Sequence, residues 1–214
     1  FFVTPTPGGK NSEGGAGFSS AIEFSETSQT FAGSMGLVLA TAHPGAEIRY
    51  TTDQAEPTLA SEKYTGPLVL KGMAIIRARA FTPGLLPGPV RTEAFFPVSP
   101  SLGAFTSSLP VVVINDFDGG RPPLGVRIPS FIQVFEPGED GVTRLLDAPV
   151  LTSRAAIASR GSSTSGNAKV NLRVEFQDEV DEDRKLGFAG LPPDADWVLY
   201  APSGFDPALI NNAF

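Results

Sequence analysis

The chain has 214 residues, of which 41% are hydrophobic, so it is long enough to bury one or two cores of ordinary size. Its formal net charge of -7 argues against nucleic acid and against an anionic membrane surface as partners. The absence of cysteine excludes disulfides, thiolate zinc sites and cysteine nucleophiles, and no run of about 18 apolar residues predicts a membrane-spanning helix.

Residues 1–20 are predicted to be a linker or the tail of an upstream domain. The run from Thr4 to Gly15 is rich in Pro, Gly and polar residues and holds too few apolar side chains to pack on a core. The chain begins at Phe1 without an initiator Met or a basic-then-apolar signal segment. We therefore expect it to be a fragment of a longer protein.

Residues 21–97 are predicted to form a small β-sandwich. Short runs rich in Val, Ile, Phe and Thr recur between Gly and Pro turn signals, and their alternation indicates about seven strands within residues 22–96. The clearest strand covers residues 73–81, where apolar side chains alternate with Arg77 and Arg79. This alternation predicts one buried face and one solvent-facing side that carries both arginines.

The segment IRYTTDQAEPTLASEKYTGPLVL and the strand AIIRARAF resemble the Ig-like domain found at the C-terminus of chitobiases and β-hexosaminidases. The shared positions are Tyr50, Asp53, Pro57, Thr58, Ser61, Tyr64, Gly66, Pro67 and Ala78. One departure is that Gln54-Ala55 stands where the family usually has Gly-Ser or Gly-Thr. The resemblance implies a spacer or accessory module without catalysis of its own, and contact with carbohydrate is left open.

Residues 98–106 are predicted to be a linker, because Pro, Ser and Gly cluster there and apolar patterning restarts afterwards. The next domain, residues 107–214, opens with an apolar run that extends from Leu109 to Ile114 without a polar interruption. Such a run predicts a strand that is buried on both faces.

The sequence SRGSSTSGNAKVNLRVEF, residues 159–176, predicts a hairpin with a Gly- and Ser-rich turn. Its first strand covers residues 150–160, and in its second strand Lys169, Arg173 and Glu175 alternate with apolar residues and so share a polar face. Glycines in such a turn let backbone N–H groups approach an anion. Two interpretations stay open from spacing alone, a phosphate cradle and a polar hairpin that faces water.

The same stretch argues against a nucleotide P-loop. Gly161 and Gly166 satisfy half of the Walker A motif, but Asn167 and Ala168 stand where Lys and Ser or Thr are required. A strand pattern follows, in place of the helix whose N-terminal amides would face the phosphate. The acidic run at residues 178–183 lacks the spacing of a calcium loop and is predicted to be a solvated hairpin tip.

Several blocks in the second half together resemble the N-terminal part of the spore-coat protein H (CotH) kinase-like family. The matching positions are Leu109, Pro110, Arg160, Gly161, Ser162, Ser163, Lys169, Arg173, Gly190, Leu191, Pro192, Asp196, Trp197, Val198, Leu199, Asp206, Leu209, Ile210 and Asn212. The resemblance implies a kinase-like fold that binds ATP and Mg²⁺ and phosphorylates Ser or Thr of a protein substrate. The residues that it implies on the phosphate side of ATP are Arg160, Gly161, Ser162, Ser163, Lys169 and Arg173.

Two departures accompany this resemblance. The family commonly has Lys-Lys where this chain has Lys169-Val170, and Arg-Asn where it has Asn211-Asn212.

In kinases, the carboxylates that hold Mg²⁺ and orient the attacking hydroxyl lie downstream of the nucleotide loop. The sequence stops at a predicted connecting helix that Asp206 would cap. We therefore assign no catalytic residue and no metal ligand within it, and we expect the fragment to be inactive.

The fold predicted from the sequence is mainly β with an α+β second part, an Ig-like β-sandwich followed by the N-terminal lobe of a kinase-like domain. The expected whole is a secreted or surface-attached bacterial multidomain protein that uses ATP and Mg²⁺ and has a protein substrate or a surface glycan as its partner. The alternative, from another functional class, is a non-catalytic structural or carbohydrate-associated adhesion module.

Overall fold

The computed structural model describes residues 8–9, 14–117, 120–161, 166 and 168–201. The chain divides into two compact units. The first unit comprises residues 1–105 and 144–148, and the second unit comprises residues 106–143 and 149–214. The division after residue 105 falls inside the segment 98–106, which the sequence predicts to be a linker.

The regular elements of the first unit are short strands and one helical turn, and many strand residues are β-branched or aromatic. Between residues 22 and 97, all of which are described, nine strands replace the seven predicted by alternation, because several runs break into pieces of three residues or fewer. The elements are β1 Ile22–Phe24, β2 Gln29–Phe31, β3 Met35–Leu37, β4 Leu39–Thr41, β5 Glu47–Thr51, β6 Glu62–Lys63, β7 Leu68–Leu70, β8 Ala74–Phe81, β9 Arg91–Pro97 and the helix α1 Pro100–Gly103.

These strands form three sheets around one core. The largest sheet has the order β2-β9-β8-β5-β6, and two ribbons pair β1 with β4 and β3 with β7. The core takes side chains from all three sheets, namely Ile22, Phe31, Leu37, Leu39, Ile48, Tyr50, Leu70, Ile76, Ala78, Ala80 and Phe95. This arrangement is consistent with the predicted Ig-like sandwich.

Residues 144–148 complete the first unit although they lie far along the chain. Leu145 is buried, and its carbonyl oxygen accepts a hydrogen bond from the hydroxyl of Thr30. Thr30 lies in β2, at the edge of the five-stranded sheet. The first unit therefore includes a segment from the second half of the sequence, which the linker pattern alone does not predict.

β8 differs from its prediction in the environment of its arginines. Arg77 is 5% exposed, and its Nη1 donates to the carbonyl oxygen of Gln54 at 2.7 Å. Ile75, two residues earlier on the same face, is also buried. The predicted solvent-facing side is therefore wrong at Arg77, because a loop carbonyl replaces water as a partner of the guanidinium.

The loop after β5 contains a residue in the left-handed backbone conformation. Gln54 has a φ of 68°, a value that costs a residue with a Cβ about 1 kcal/mol relative to the right-handed region. Hydrogen bonds hold the loop in this shape, because Asp53 Oδ1 accepts from the backbone N–H of Ala55 at 3.1 Å and Thr51 Oγ1 donates to the Ala55 carbonyl at 2.6 Å. The turn thus keeps a geometry that suits glycine while carrying glutamine.

The second unit is likewise built from strands. Most of its longer strands are rich in Val, Ile, Leu and Phe, and the connections between them hold most of the Gly and Pro residues. The strands that begin after residue 105 are β10 Thr106–Ser107, β11 Val111–Asn115, β12 Ile128–Phe135, β13 Thr143–Arg144, β14 Leu151–Arg160, β15 Asn171–Gln177 and β16 Asp196–Leu199.

Five of these strands form one sheet in the order β11-β12-β14-β15-β16, and every neighbouring pair is antiparallel. β14 and β15 form the predicted hairpin, in which Arg160 lies opposite Asn171. β11 lies at the edge of this sheet, and all its residues are only half-buried. The prediction of a strand buried on both faces is therefore wrong, because an edge strand has one neighbour and stays partly open to water.

The core of the second unit lies on one face of this sheet. Residues opposite each other in antiparallel pairs share a face, so Ile157, Val174 and Trp197 form one row. Phe188, from the connection between β15 and β16, packs on Phe176 with ring centroids 6.3 Å apart and on Trp197 with centroids 4.7 Å apart. The connection thereby covers the apolar face of the hairpin.

The observed architecture is mainly β, as the sequence predicts. The α+β character expected of the second unit is not seen, since the regular elements among its described residues are strands. The predicted helix that Asp206 would cap lies outside the described residues. Nowhere in the described ranges is a helix long and apolar enough to cross a membrane.

We expect the Gln54→Gly substitution to raise the free energy of unfolding by about 0.5 kcal/mol, because relief of the left-handed strain exceeds the extra backbone entropy of glycine. Ala55→Gly is the matched control, since Ala55 is not among the residues with positive φ, and it should lower the free energy of unfolding by a similar amount. Urea denaturation of both variants measures the two effects. Destabilisation by Gln54→Gly equal to that of the control would show that the turn carries no strain.

Tyr50 supplies a test of the first core through pH. Burial, together with the nearby Glu62 carboxylate, raises the pKa of Tyr50 from 10.0 to about 12. Since the folded state holds the proton more tightly, the stability that Tyr50 contributes is complete below pH 10 and is lost as the pH rises towards 12. We expect the difference in unfolding free energy between wild type and Tyr50→Phe to fall by roughly 2 kcal/mol between about pH 9 and 11.5. A difference that stays constant over this range contradicts the burial of the phenol.

Candidate functional site

A cleft of about 650 Å³ lies at the end of the β14–β15 hairpin in the second unit, and we call it the hairpin cleft. It is lined by residues of the segment before β12, of the end of β14, and of β15 and β16. The lining residues are Leu124, Gly125, Arg127, Ala158, Ser159, Arg160, Gly161, Arg173, Asp196, Trp197 and Val198.

The floor of the hairpin cleft follows from strand register. Ala158 lies opposite Arg173, and Arg173 lies opposite Val198, so these three side chains form a row across three strands. This row is on the face opposite to the core row of Ile157, Val174 and Trp197. Arg160 follows Ala158 by two residues, and it therefore lies on the same face as Arg173, at a diagonal position.

One rim of the cleft is held by backbone hydrogen bonds to the end of β14. The backbone N–H of Ser159 donates to the Pro123 carbonyl at 2.9 Å, and the N–H of Gly125 donates to the Ser159 carbonyl at 3.0 Å. The hydroxyl of Ser159 also donates to the Pro122 carbonyl. Because β12 pairs with β14 only as far as residue 157, these bonds extend the sheet beyond the last β12 pair.

The other rim is the start of the hairpin turn. Gly161 has a φ of 99°, a conformation that favours glycine and leaves the backbone without a Cβ in the way of a ligand. Arg160, immediately before it, is exposed, and it forms no ion pair with any of the described residues. The exposed guanidinium of Arg160 thus lies beside the glycine backbone of residue 161.

An ion-pair network runs along the floor of the cleft. Arg127 pairs with Glu175, whose side chain is 12% exposed, and Arg127 Nη2 also lies 3.6 Å from Asp196 Oδ1. Arg173 Nη2 lies 3.0 Å from the same oxygen of Asp196. Asp196 thereby joins two arginines that come from different parts of the chain.

The charge of the lining favours an anion. Arg127, Arg160 and Arg173 carry three positive charges, whereas Asp196 and Glu175, the partner of Arg127, carry two negative charges, so one positive charge remains in excess. Guanidinium groups bind phosphate and carboxylate oxygens through pairs of planar N–H donors. The apolar side chains of Ala158 and Val198 leave room on the floor for an uncharged part of a ligand.

The structure brings together half of the residues that the CotH-like resemblance implies for the phosphate side. Arg160, Gly161 and Arg173 all line the hairpin cleft. Lys169 is exposed in the bend before β15 and is not among the lining residues, so it does not share the strand face with Arg173 that the alternation predicts. Ser162 and Ser163 lie outside the described residues.

Arg127 and Asp196 belong to the cleft but were not predicted as site residues. Arg127 precedes β12, which is separated from β15 in the sheet by β14, so no sequence spacing relates it to the hairpin. Asp196 does match the CotH-like pattern, in the block that contains Trp197. Asp196 reaches the cleft because it lies opposite Glu175, and this position depends on the β15–β16 register.

The acidic run at residues 178–183 forms a turn that is held from within. Asp178 Oδ1 accepts from the backbone N–H groups of Val180 and Glu182 at 2.8 and 3.0 Å. Asp181 pairs with Arg154 of β14 at 2.5 Å. These carboxylates therefore stabilise the turn and its attachment to the sheet, in keeping with the predicted hairpin tip.

Comparison with known proteins gives one match. Residues 37–95 match the model of the family described as Fn3 associated, a stretch that runs from the end of β3 into β9. No curated protein and no solved structure matches the chain. The comparisons therefore support an Ig- or fibronectin-like associated domain in the first unit, and none of them supports the CotH-like resemblance of the second.

Proposed function

We propose that the second unit binds the phosphate groups of a nucleotide in the hairpin cleft, as the nucleotide-facing part of a CotH-like kinase domain. The observation that carries this proposal is the meeting of Arg127, Arg160 and Arg173 around a cleft with Gly161 at its rim. An excess of guanidinium over carboxylate in a concave site raises the local concentration of anions.

Phosphate is the anion that this set of groups fits best. Its several oxygens match the paired donors of more than one guanidinium at once. The positive φ of Gly161 lets the backbone approach a phosphate closely, and the apolar surface of Ala158 and Val198 offers a packing surface to the nucleoside. A small inorganic anion would leave this apolar surface unused.

The kinase-like part of the proposal adds that the hairpin turn covers the phosphates of ATP, as the Gly-rich loop does in protein kinases. The ordered sequence blocks and the antiparallel hairpin support this. ATP fits the arginines of the cleft, and the described residues contain no group of three or more His, Cys, Asp or Glu side chains that could hold a metal ion. We therefore assign no metal-dependent step to the described part of the chain.

For the first unit we propose an accessory role in a secreted or surface-attached bacterial protein. The Fn3 associated match supports an Ig- or fibronectin-like module, and the finer resemblance to the chitobiase C-terminal domain supports a spacer between neighbouring domains. In this setting the partner is a protein substrate of the kinase-like domain or a surface glycan.

A second function, from a different class, is a non-catalytic adhesion or structural module. The ion pairs of Asp196 with Arg173 and Arg127 favour it, because they satisfy two of the cleft arginines within the protein itself. The two functions differ in one observable property. Only the first requires that a phosphate ligand binds in the hairpin cleft.

Titration of the 214-residue chain with ATP, followed through amide chemical shifts, tests the proposed function. We expect shifts at Gly161 and around Arg173, with a Kd in the millimolar range, about -4 kcal/mol, because the cleft arginines are partly solvated. Arg160→Ala and Arg173→Ala should each weaken binding about tenfold through loss of a charge-assisted hydrogen bond. Added salt should weaken binding further.

Arg184→Ala is the matched control, because Arg184 belongs to the same unit, lies outside the cleft, and its side chain donates a long bond, 3.5 Å, to the Thr152 carbonyl. This variant should bind ATP as the wild type does. Lys169 belongs to the phosphate cradle predicted from the sequence but does not line the hairpin cleft. We therefore expect Lys169→Ala to lower the affinity for ATP less than Arg173→Ala does. The absence of shifts at high millimolar ATP, or equal losses for Arg173→Ala and Arg184→Ala, argues for the non-catalytic module.

A further inference from the structure

One oxygen of Asp196 already occupies the space between two arginines of the hairpin cleft. Asp196 Oδ1 lies 3.0 Å from Arg173 Nη2 and 3.6 Å from Arg127 Nη2. Two guanidinium groups that converge on a single carboxylate oxygen are spaced to receive an oxygen of another anion in the same place. The position is therefore an anion site whose present occupant belongs to the protein.

The members of this cluster differ in how firmly they are held. Arg127 is anchored by Glu175, a side chain only 12% exposed in the interior strand β15. Asp196 lies on the edge strand β16, and its side chain is 51% exposed. Separating Arg127 from Glu175 would leave the buried Glu175 carboxylate without its partner, which is costly. The pair between Asp196 and Arg173 is exposed and therefore weak. Asp196 is therefore the group that an incoming anion displaces.

Resting on the phosphate-binding function proposed above, we infer that Asp196 is an internal competitor for the ligand anion. Its carboxylate holds the position between Arg127 and Arg173, and a bound phosphate takes that position while the Asp196 side chain turns to water. The ion pair of Arg127 with Glu175 remains in place during this exchange.

The competition selects among phosphate ligands. A single phosphate group exchanges one anion for another between Arg127 and Arg173 and so gains little. Arg160 lies diagonally across the same face, at a spacing of about 7 to 8 Å between Cα atoms, within reach of a second phosphate group. The cleft therefore prefers ligands with at least two linked phosphate groups over orthophosphate.

Asp196→Asn tests this inference with pyrophosphate and orthophosphate as probes, because Asn keeps the size of the side chain and removes its charge. Amide chemical shifts at Gly161 and around Arg173 report the binding of each probe. We expect Asp196→Asn to bind pyrophosphate about fivefold more tightly than wild type. Arg160→Ala should abolish most of the preference for pyrophosphate over orthophosphate, and Asp196→Asn should retain it.

Glu182→Gln is the matched control for charge. It changes the net charge of the chain by the same amount, at an exposed position of the β15–β16 connection outside the cleft. Its affinity for pyrophosphate should equal that of the wild type. Asp196→Ser provides a second removal of the carboxylate and should also tighten binding, so the result does not depend on how well Asn folds on the edge strand.

The outcomes separate this inference from the proposed function. If the wild type binds pyrophosphate and both Asp196 variants bind it with equal or lower affinity, the internal competitor is overturned and the phosphate site stays intact. Equal affinity of the wild type for orthophosphate and pyrophosphate overturns the selectivity. No binding by the wild type or by either Asp196 variant overturns both proposals. Binding by the Asp196 variants alone supports the competitor, because it shows the site exposed once the carboxylate is gone.

Discussion

The antiparallel register of β14 and β15 decides which side chains surround the hairpin cleft. It places Ala158 opposite Arg173, and β16 continues this row with Val198. A slip of one residue would turn Arg173 to the core face and expose Val174 and Phe176, which are both 1% exposed in the structure. Burial of the apolar row therefore enforces the position of the charged row, and the geometry of the cleft follows from the hydrophobic core behind it.

The pair between Arg127 and Glu175 links that sheet to a segment without regular structure. Glu175 lies in an interior strand, so its carboxylate needs a partner that water does not supply fully. Arg127 provides this partner from the chain just before β12, and it is thereby held at the cleft although it belongs to no strand. The buried Glu175 thus determines the position of Arg127, one of the three arginines that line the cleft.

The parts of the fold that depend on local patterns were predictable from the sequence. Alternation identified β8 and β15, and the Gly- and Ser-rich turn before β15 indicated β14 as its partner strand. The burial of Arg77 was not predictable, since it depends on the Gln54 carbonyl of a loop that precedes it by more than 20 residues. Edge exposure of β11 also depends on strand order, which alternation does not contain.

The candidate site was predictable only where it is continuous in sequence. Arg160, Gly161 and Arg173 lie on one hairpin, so the pairing that alternation suggests also brings them together. Arg127 and Asp196 reach the same cleft through strands β12 and β16, whose neighbours follow from tertiary pairing. Lys169 was placed on the strand by its period, but β15 begins two residues later, at Asn171. The site therefore combines a local motif with residues that only the sheet order assembles.

The phosphate-binding function and the competitor role of Asp196 both require that the hairpin cleft is an anion site. A crystal structure of the chain grown with pyrophosphate tests this claim directly. We expect pyrophosphate within hydrogen-bonding distance of Arg127 and Arg173, with Asp196 turned out of the space between them. Pyrophosphate found elsewhere, with Asp196 still between the two arginines, would contradict it.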